Sequence, residues 1–227
     1  MNLVLIPIQS LSSDAMKGRG EAGKEIAFST WSLKAHGDKE ARDSSSPHGH
    51  SLQGMEDKRR SRLYLSTNGY ADDAFDRLDY GTQGSFGGKL DANDRVNNTP
   101  VIFIHGNSDA ALRVSAAFAG WEFSINYFLN RGYTSAELYA TSYSDDNPLN
   151  AHLRSHNCKV VTRLRRFVEA VKNYTGAPMV HIISHSLGVT LGRKVVKGGQ
   201  IKADDGTCNI GKPLRYVDVF VGLADGV

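Results

Sequence analysis

The residues Val180-His181-Ile182-Ile183-Ser184-His185-Ser186-Leu187-Gly188-Val189-Thr190 leave few folds open to this chain. A β-branched apolar run stops at a small-X-Ser-X-Gly pentad, and a helical pattern follows at once. That is the form of a nucleophile elbow, in which a serine is presented on a tight strand-to-helix turn. The turn crowds its flanks, so small residues stand there, and Ser184 and Gly188 bracket Ser186. Serine at 184 takes the place of the more usual glycine. Read alone, the pentad also fits a buried strand followed by a helix with an N-cap serine.

A second segment favours the first reading. Thr99-Pro100-Val101-Ile102-Phe103-Ile104 is another buried-strand pattern, and it runs into His105-Gly106-Asn107-Ser108-Asp109. Acyl-transfer sites of this design take one oxyanion donor from the residue after the serine and another from a loop after an early strand. Backbone N–H groups aimed at the developing oxyanion stabilise it without reorganisation. By position, the donors here are Asn107 and Leu187, with Ser186 as the catalytic nucleophile. Gly106 lets the backbone approach a carbonyl closely. His105, Gly106 and Gly188 complete the supporting loop. A His-Gly pair is otherwise an ordinary turn.

The pattern of elements predicts an α/β fold. Strands are expected at Val101–Ile104, Glu137–Tyr143, Met179–Ser184 and Tyr216–Val221, and helices at Trp121–Leu129, Val160–Tyr174 and Leu187–Lys197. The third helix is closed by Gly198-Gly199. Alternating strands and helices imply right-handed crossovers and a parallel sheet with flanking helices. Ligands then bind at the carboxyl ends of the strands. Tyr70–Tyr80 is read as a short helix, Gly81–Asn98 as a loop, and Ser144–Asn157 as a polar loop. Residues 1–62 read as a separate segment without stable packing, because Lys34–Arg62 is polar and lacks an apolar period. Residues 63–227 form the globular domain.

From about Gly84 to Gly222 the chain resembles the class 2 lipases of the α/β-hydrolase superfamily. The matching residues include Gly84-Ser85-Phe86-Gly87-Gly88, Pro100 to Asn107, Tyr127-Phe128-Leu129, Arg131-Gly132-Tyr133 and Glu137-Leu138-Tyr139-Ala140. They continue through His156-Asn157-Cys158, Phe167 to Val171, Thr175-Gly176-Ala177, Ile183 to Gly188 and Val217 to Gly222. The resemblance implies an α/β-hydrolase-type sheet and serine-based hydrolysis of acylglycerols or similar lipid esters. It implies no cofactor and no metal. A lipid ester is the expected partner, with at most peripheral contact with lipid surfaces, and the family's members are typically secreted.

The chain departs from that pattern beyond the elbow. The family's order is Ser, then acid, then His, yet no histidine follows His185. The expected domain is therefore C-terminally incomplete, with the triad acid and base missing from these residues. A serine hydroxyl without an adjacent base is a poor nucleophile. Three readings follow: a serine esterase or lipase, a catalytically silent truncated isoform or gene-model fragment that binds lipid or a partner, and another acyl chemistry on the same fold. Chain ends that leave a sheet edge unpaired also predict poor solubility.

Other residues carry weaker expectations. His185 is expected to pack behind the elbow, and His181 to be a satisfied sheet histidine. His152 and His156 lie on the polar loop and are solvated unless one serves as a substitute base. Asp109, Asp145 and Asp146 are expected to form turns, and Asp218 to be structural. His36, His48 and His50 read as linker rather than metal ligands. Cys158 and Cys208 fit either one disulfide or two free thiols, and the secreted relatives favour the bridge. Asn97-Asn98-Thr99 and Asn173-Tyr174-Thr175 fit the glycosylation acceptor pattern. A formal charge of +3 is too small to argue for nucleic acid. Asn2–Ile8 is apolar but short and broken by Pro7, so it makes a poor signal peptide.

Overall fold

The computed structural model describes residues 3–6, 64–91, 93–115, 118–145 and 147–223, with backbone alone for 3–6. Its centre is strand β3, Val101–Ile104, whose four residues are all buried. Such a strand must be covered on both faces, which is why it reads as an unbroken apolar run. On its two sides lie β4, Leu138–Thr141, and β5, Val180–His185, both parallel to it. Strand β8, Val217–Leu223, pairs parallel with β5. The four strands expected from the sequence thus form one parallel block.

Each face of the block has its own core. Ile102 and Ile104 point to the side covered by two helices, Cys158–Thr175 and Leu187–Lys197. Val101 and Phe103 point to the other side, onto Ile125 of helix α1, Glu122–Leu129, and Trp121 just before it. Helices 158–175 and 187–197 are α2 and α3. In α2 the buried Val161, Leu164, Phe167, Val168 and Val171 recur at helical spacing. Asn157 caps its start, its side chain accepting from Val160 N–H, and Gly176 ends it in the left-handed region at φ 67°.

Two edge strands were not anticipated. Ser85–Phe86, β2, adds antiparallel to β4. Leu3–Ile6, β1, adds antiparallel to β8 from Leu3↔Leu223 to Ile6↔Phe220. The reading of 1–62 as unpacked does not hold for these four residues. They are apolar and of high strand propensity, and they pair with backbone groups that β8 would otherwise leave open. The remainder of 1–62 lies outside the described residues, including His36, His48 and His50. The full sheet order is β1-β8-β5-β3-β4-β2.

Residues 70–80 are not one helix. They form two 3₁₀ turns, Ala71–Asp73 and Leu78–Tyr80, because Ala74 and Arg77 take φ of 47° and 44°. The polar loop 144–157 contains a further 3₁₀ segment, Pro148–Leu153. A hairpin of β6, Gln200–Ala203, and β7, Gly206–Asn209, stands apart from the main sheet. Cys208 on this hairpin is disulfide-bonded to Cys158 at the start of α2. Asp205 on the hairpin turn accepts from the N–H groups of Cys158 and Lys159 and so caps the same helix end.

The bridge closes a segment spanning 50 positions, and a cross-link of that length restricts the unfolded chain by about 4 kcal/mol in the chain-entropy model. Cys208→Ser is therefore expected to lower the denaturant midpoint by the equivalent of roughly 2–5 kcal/mol. A midpoint unchanged from the oxidised parent would count against that role.

Candidate active site

Strand β5 ends at His185 and α3 begins at Leu187, so Ser186 is the whole of the turn between them. Its backbone lies at φ 50°, ψ −126°, a region that glycine enters freely and other residues enter only when held there. The restraints are visible. Ser186 N–H donates to Leu223 O of β8 at 2.9 Å, and Val189 N–H donates to Ser186 O at 2.8 Å. One peptide group of the turn thus belongs to the sheet and the other to the helix. Ser184 is fully buried, and its hydroxyl donates to Val221 O at 3.0 Å. That bond gives a serine a satisfied place where the pentad more often has glycine.

Glycines allow the elbow to close onto β3. A β-carbon at position 188 would lie 2.3 Å from His105 O and 2.8 Å from Ile104 O. The first turn of α3 therefore rests directly on the carbonyl end of β3. A β-carbon at position 106 would lie 2.8 Å from His185 Nδ1 and 3.2 Å from Ser186 Cβ. Gly106 and Ser186 thus share one edge of the sheet and are in contact. The His185 ring lies over Gly106, on the loop side, rather than behind the elbow.

The loop after β3 is held by buried polar groups. His105 is 2% exposed and stacks on Tyr143, with ring centroids 4.1 Å apart. Tyr143 N–H donates to His105 Nε2 at 3.0 Å, which leaves the ring proton on Nδ1, 2.7 Å from Gly106 O. Tyr143 OH donates to His105 O at 2.8 Å. Burial pushes the imidazole down to about 3, against the opposing pull of Gly106 O, and nearby Arg77, Arg154 and Arg163 act in the same direction as burial. His105 is thus a neutral strut with both nitrogens engaged, not a proton acceptor.

Asp109 closes the next turn, with Oδ1 accepting from Ala110 N–H at 2.8 Å and Gly120 N–H at 3.2 Å. Burial raises its carboxyl while these donors and His185 pull it back. The N–H groups of Asn107 and Leu187 have no hydrogen-bond acceptor among the described residues. The Asn107 side chain, by contrast, is held at both ends. Its Nδ2 donates to Ala151 O at 3.0 Å, and its Oδ1 accepts from Arg154 at 2.7 Å.

The other histidines are placed as follows. His156 Nε2 lies 3.3 Å from Leu187 O and 3.2 Å from Thr190 Oγ1, on the flank of the elbow helix. Burial and Lys194 lower its affinity for a proton, against the pull of Leu187 O. His152 is exposed on the 3₁₀ segment. His181 is less satisfied than expected: its Nδ1 is buried without a hydrogen-bond partner, 3.9 Å from the Asp218 carboxylate. Asp218 itself is exposed, beside a register shift between β5 and β8. Asp145 forms a turn with Asn147 N–H as expected, while Asp146 lies outside the described residues.

Sequence reading missed several residues that fix the two ends of β4, the first of them at the edge opposite Ser186. Glu137 is fully buried and closes the start of β4: it accepts from the N–H groups of Asn97, Asn98 and Thr134. Burial raises its carboxyl, but the donors outweigh that and leave it below the usual range. Arg77 and Arg163 both donate to Ser142 O, at 2.8 and 2.9 Å, just before Tyr143. The Thr134-x-x-Glu137 capping box is a local signal that could have marked Glu137, whereas Ser142 lies 65 and 21 positions from Arg77 and Arg163. An apolar cavity of about 80 Å³ lies elsewhere, between α2 and β4, walled by Tyr64, Phe75, Phe86, Tyr139, Phe167 and Tyr174.

The buried His105 gives a pH prediction. Its folded value, about 3, is below the unfolded 6.5. The unfolded state therefore binds the extra proton first, and stability present above 6.5 is lost as pH falls toward 3. The full loss is on the order of 5 kcal/mol, using 1.36 kcal/mol per pH unit. Urea midpoints should fall steeply between pH 6.5 and 4, and more shallowly in His105→Gln. Parallel pH profiles for the two proteins would refute the assignment.

One sheet edge holds a serine in a constrained positive-φ turn and a glycine against its Cβ, each followed by a residue, Leu187 and Asn107, whose N–H has no acceptor among the described residues. A family model described as Lipase (class 2) matches residues 98–226, which is more than half of the chain and includes this whole edge. The chain belongs to the class 2 lipase family, an α/β-hydrolase-like family of lipase and esterase-type hydrolases.

Proposed function

We propose that residues 63–227 form a serine carboxylester hydrolase domain that acts on acylglycerols or similar lipid esters. Ser186 is the nucleophile, and the N–H groups of Asn107 and Leu187 receive the oxyanion. The observation that carries this reading is the Ser186 turn at φ 50° with Gly106 packed against its Cβ. Such a backbone is kept where a side chain must be presented. In the reaction, Ser186 Oγ attacks the ester carbonyl and the carbonyl oxygen becomes the oxyanion. Collapse breaks the bond to the leaving alkoxide, which takes up the proton that Ser186 Oγ gave up on attack, and leaves an acyl-serine for water to hydrolyse.

His105 and His156 are not assigned as the base. The first has both nitrogens engaged, and the Nε2 of the second lies against the elbow helix. This favours slow turnover by these 227 residues, and it gives weight to a second reading in which the chain is catalytically silent. The disulfide supports a secreted protein, since such bridges persist in oxidising compartments. The test is labelling by a fluorophosphonate probe followed by peptide mapping. Slow modification confined to Ser186 is expected. Modification of another residue, with Ser186 untouched, would sink the assignment.

A further inference from the structure

We infer that Arg154 is a positioning residue that keeps the Asn107 N–H aimed at the oxyanion. The inference rests on the reading of Ser186 and Asn107 given above.

The Arg154 side chain is 6% exposed although it carries a full charge. So deep a burial of charge is costly to desolvate unless its donors are matched; here both Nη groups are matched, while Nε is buried without a hydrogen-bond partner. One arm, Nη1, donates to Asn107 Oδ1 at 2.7 Å and to the hydroxyl of Ser108. The other, Nη2, donates to the Asp145 carboxylate and to Asn147 O at 2.6 Å. The fork therefore ties the loop after β3 to the loop after β4. Ala151 O completes the tie by accepting from Asn107 Nδ2 at 3.0 Å.

That tie bears on Asn107 more than on packing. Ser108 is buried and lies at φ 59°, in the left-handed region that a non-glycine residue leaves when released. The Asn107 N–H has no acceptor of its own among the described residues, so its direction depends on how firmly the Asn107 side chain and the next residue, Ser108, hold the loop. Both are in the grip of Arg154. A lysine cannot reproduce the grip, because one ammonium does not span the four acceptors that a planar fork reaches.

The experiment compares Arg154→Lys, Arg154→Met and Asn107→Ala with the parent 227-residue chain, disulfide intact. Backbone ¹⁵N relaxation reads the Asn107 N–H directly and needs no turnover. An order parameter near 0.85 is expected in the parent, and below about 0.6 in both Arg154 variants. Ser186 labelling by a fluorophosphonate should slow by roughly tenfold or more in all three, up to the ~10²–10³ that outright loss of one oxyanion donor costs. Arg154→Lys combined with Asn107→Ala should be no slower than the worse single variant, since both cut one latch. If Asn107 stays as rigid as in the parent, or order is lost only at 147–151, the inference is overturned. Additive losses would also overturn it. Should Arg154→Met fail to fold, Arg154→Lys and Asn107→Ala still decide it. If Ser186→Ala labels as fast as the parent, it is the Ser186 reading that fails, and the relaxation data judge Arg154 separately.

Discussion

Ser186→Gly is expected to raise the melting temperature of this protein while erasing its labelling by a fluorophosphonate. The turn holds Ser186 at φ 50°, ψ −126°. A non-glycine residue kept in so sparsely populated a region costs on the order of 1–3 kcal/mol. Glycine removes that cost and gives back about 0.5–1 kcal/mol through its freer unfolded chain. The net gain is about 1 kcal/mol, or roughly 2–4 °C for a domain of this size. Ser186→Ala keeps the strained backbone and should melt within about 1 °C of the parent, near the small effect of an ordinary substitution. Both variants lack the Oγ and should show no covalent adduct at residue 186. Calorimetry paired with intact-mass labelling reads both effects. A Ser186→Gly protein that melts lower than Ser186→Ala would show that the turn is not strained.

The same experiment sets the scale of activity. Where a complete triad exists, loss of the serine costs about 10⁶ in kcat. Here the parent is expected to hydrolyse a short-chain p-nitrophenyl ester only slowly, because His105 is a buried strut and His156 faces α3. The loss on Ser186→Ala is then complete but starts from a low level. Brisk hydrolysis that depends on Ser186 would overturn this expectation, and His152→Ala and His156→Ala would separate the two loop histidines as substitute bases.

How far the site could be read in advance follows from the range of the interactions. Ser186, Gly188 and the His105-Gly106 pair were legible because their demands are local. A turn that excludes side chains shows as small residues, and a buried strand shows as an apolar run. Helix α2 was legible for the same reason, since its buried face repeats every three to four residues. Residues 70–80 were misread because the spacing of their apolar residues fits a helix, while the two positive-φ positions fall on Ala74 and Arg77, which do not announce them. The β6–β7 hairpin is polar and lies off the main sheet, so no core pattern marks it. Strand β1 is four residues long, and only its pairing with β8 makes it a strand. Tyr143 and Arg154 meet His105 and Asn107 across 38 and 47 positions, and no window of sequence contains both ends of such a bond; Glu137 was missed although its capping box with Thr134 is local.

Gly188→Ala should cost far more than helix propensity allows. Within a helix alanine is normally preferred to glycine by up to about 1 kcal/mol, and although Gly188 stands in the first turn, propensity alone predicts no loss. Sterics oppose it. The new carbon would stand 2.3 Å from His105 O and 2.8 Å from Ile104 O, both backbone atoms of the central strand region. Neither can turn aside as a side chain would, so α3 must lift from β3. Overpacking typically costs 1–3 kcal/mol and occasionally more, and two backbone contacts under 3 Å put this case at the top of that range, so a net loss of about 3 kcal/mol is expected. That corresponds to a drop of roughly 6–12 °C for a domain of this size. Gly192→Ala provides the comparison on the same helix. Its β-carbon would meet the Phe220 ring at 2.9 Å and Ile104 Cδ1 at 3.2 Å, side-chain atoms that can shift by tenths of an ångström. Its loss should be the smaller by at least half. Lifting α3 also separates Ser186 from Gly106 and tilts the Leu187 N–H, so Gly188→Ala should label far more slowly than its stability alone explains, and Gly192→Ala should not. If Gly188→Ala melts within about 2 °C of the parent and labels at the parent rate, the close seating of the elbow on β3 is not what forms this site.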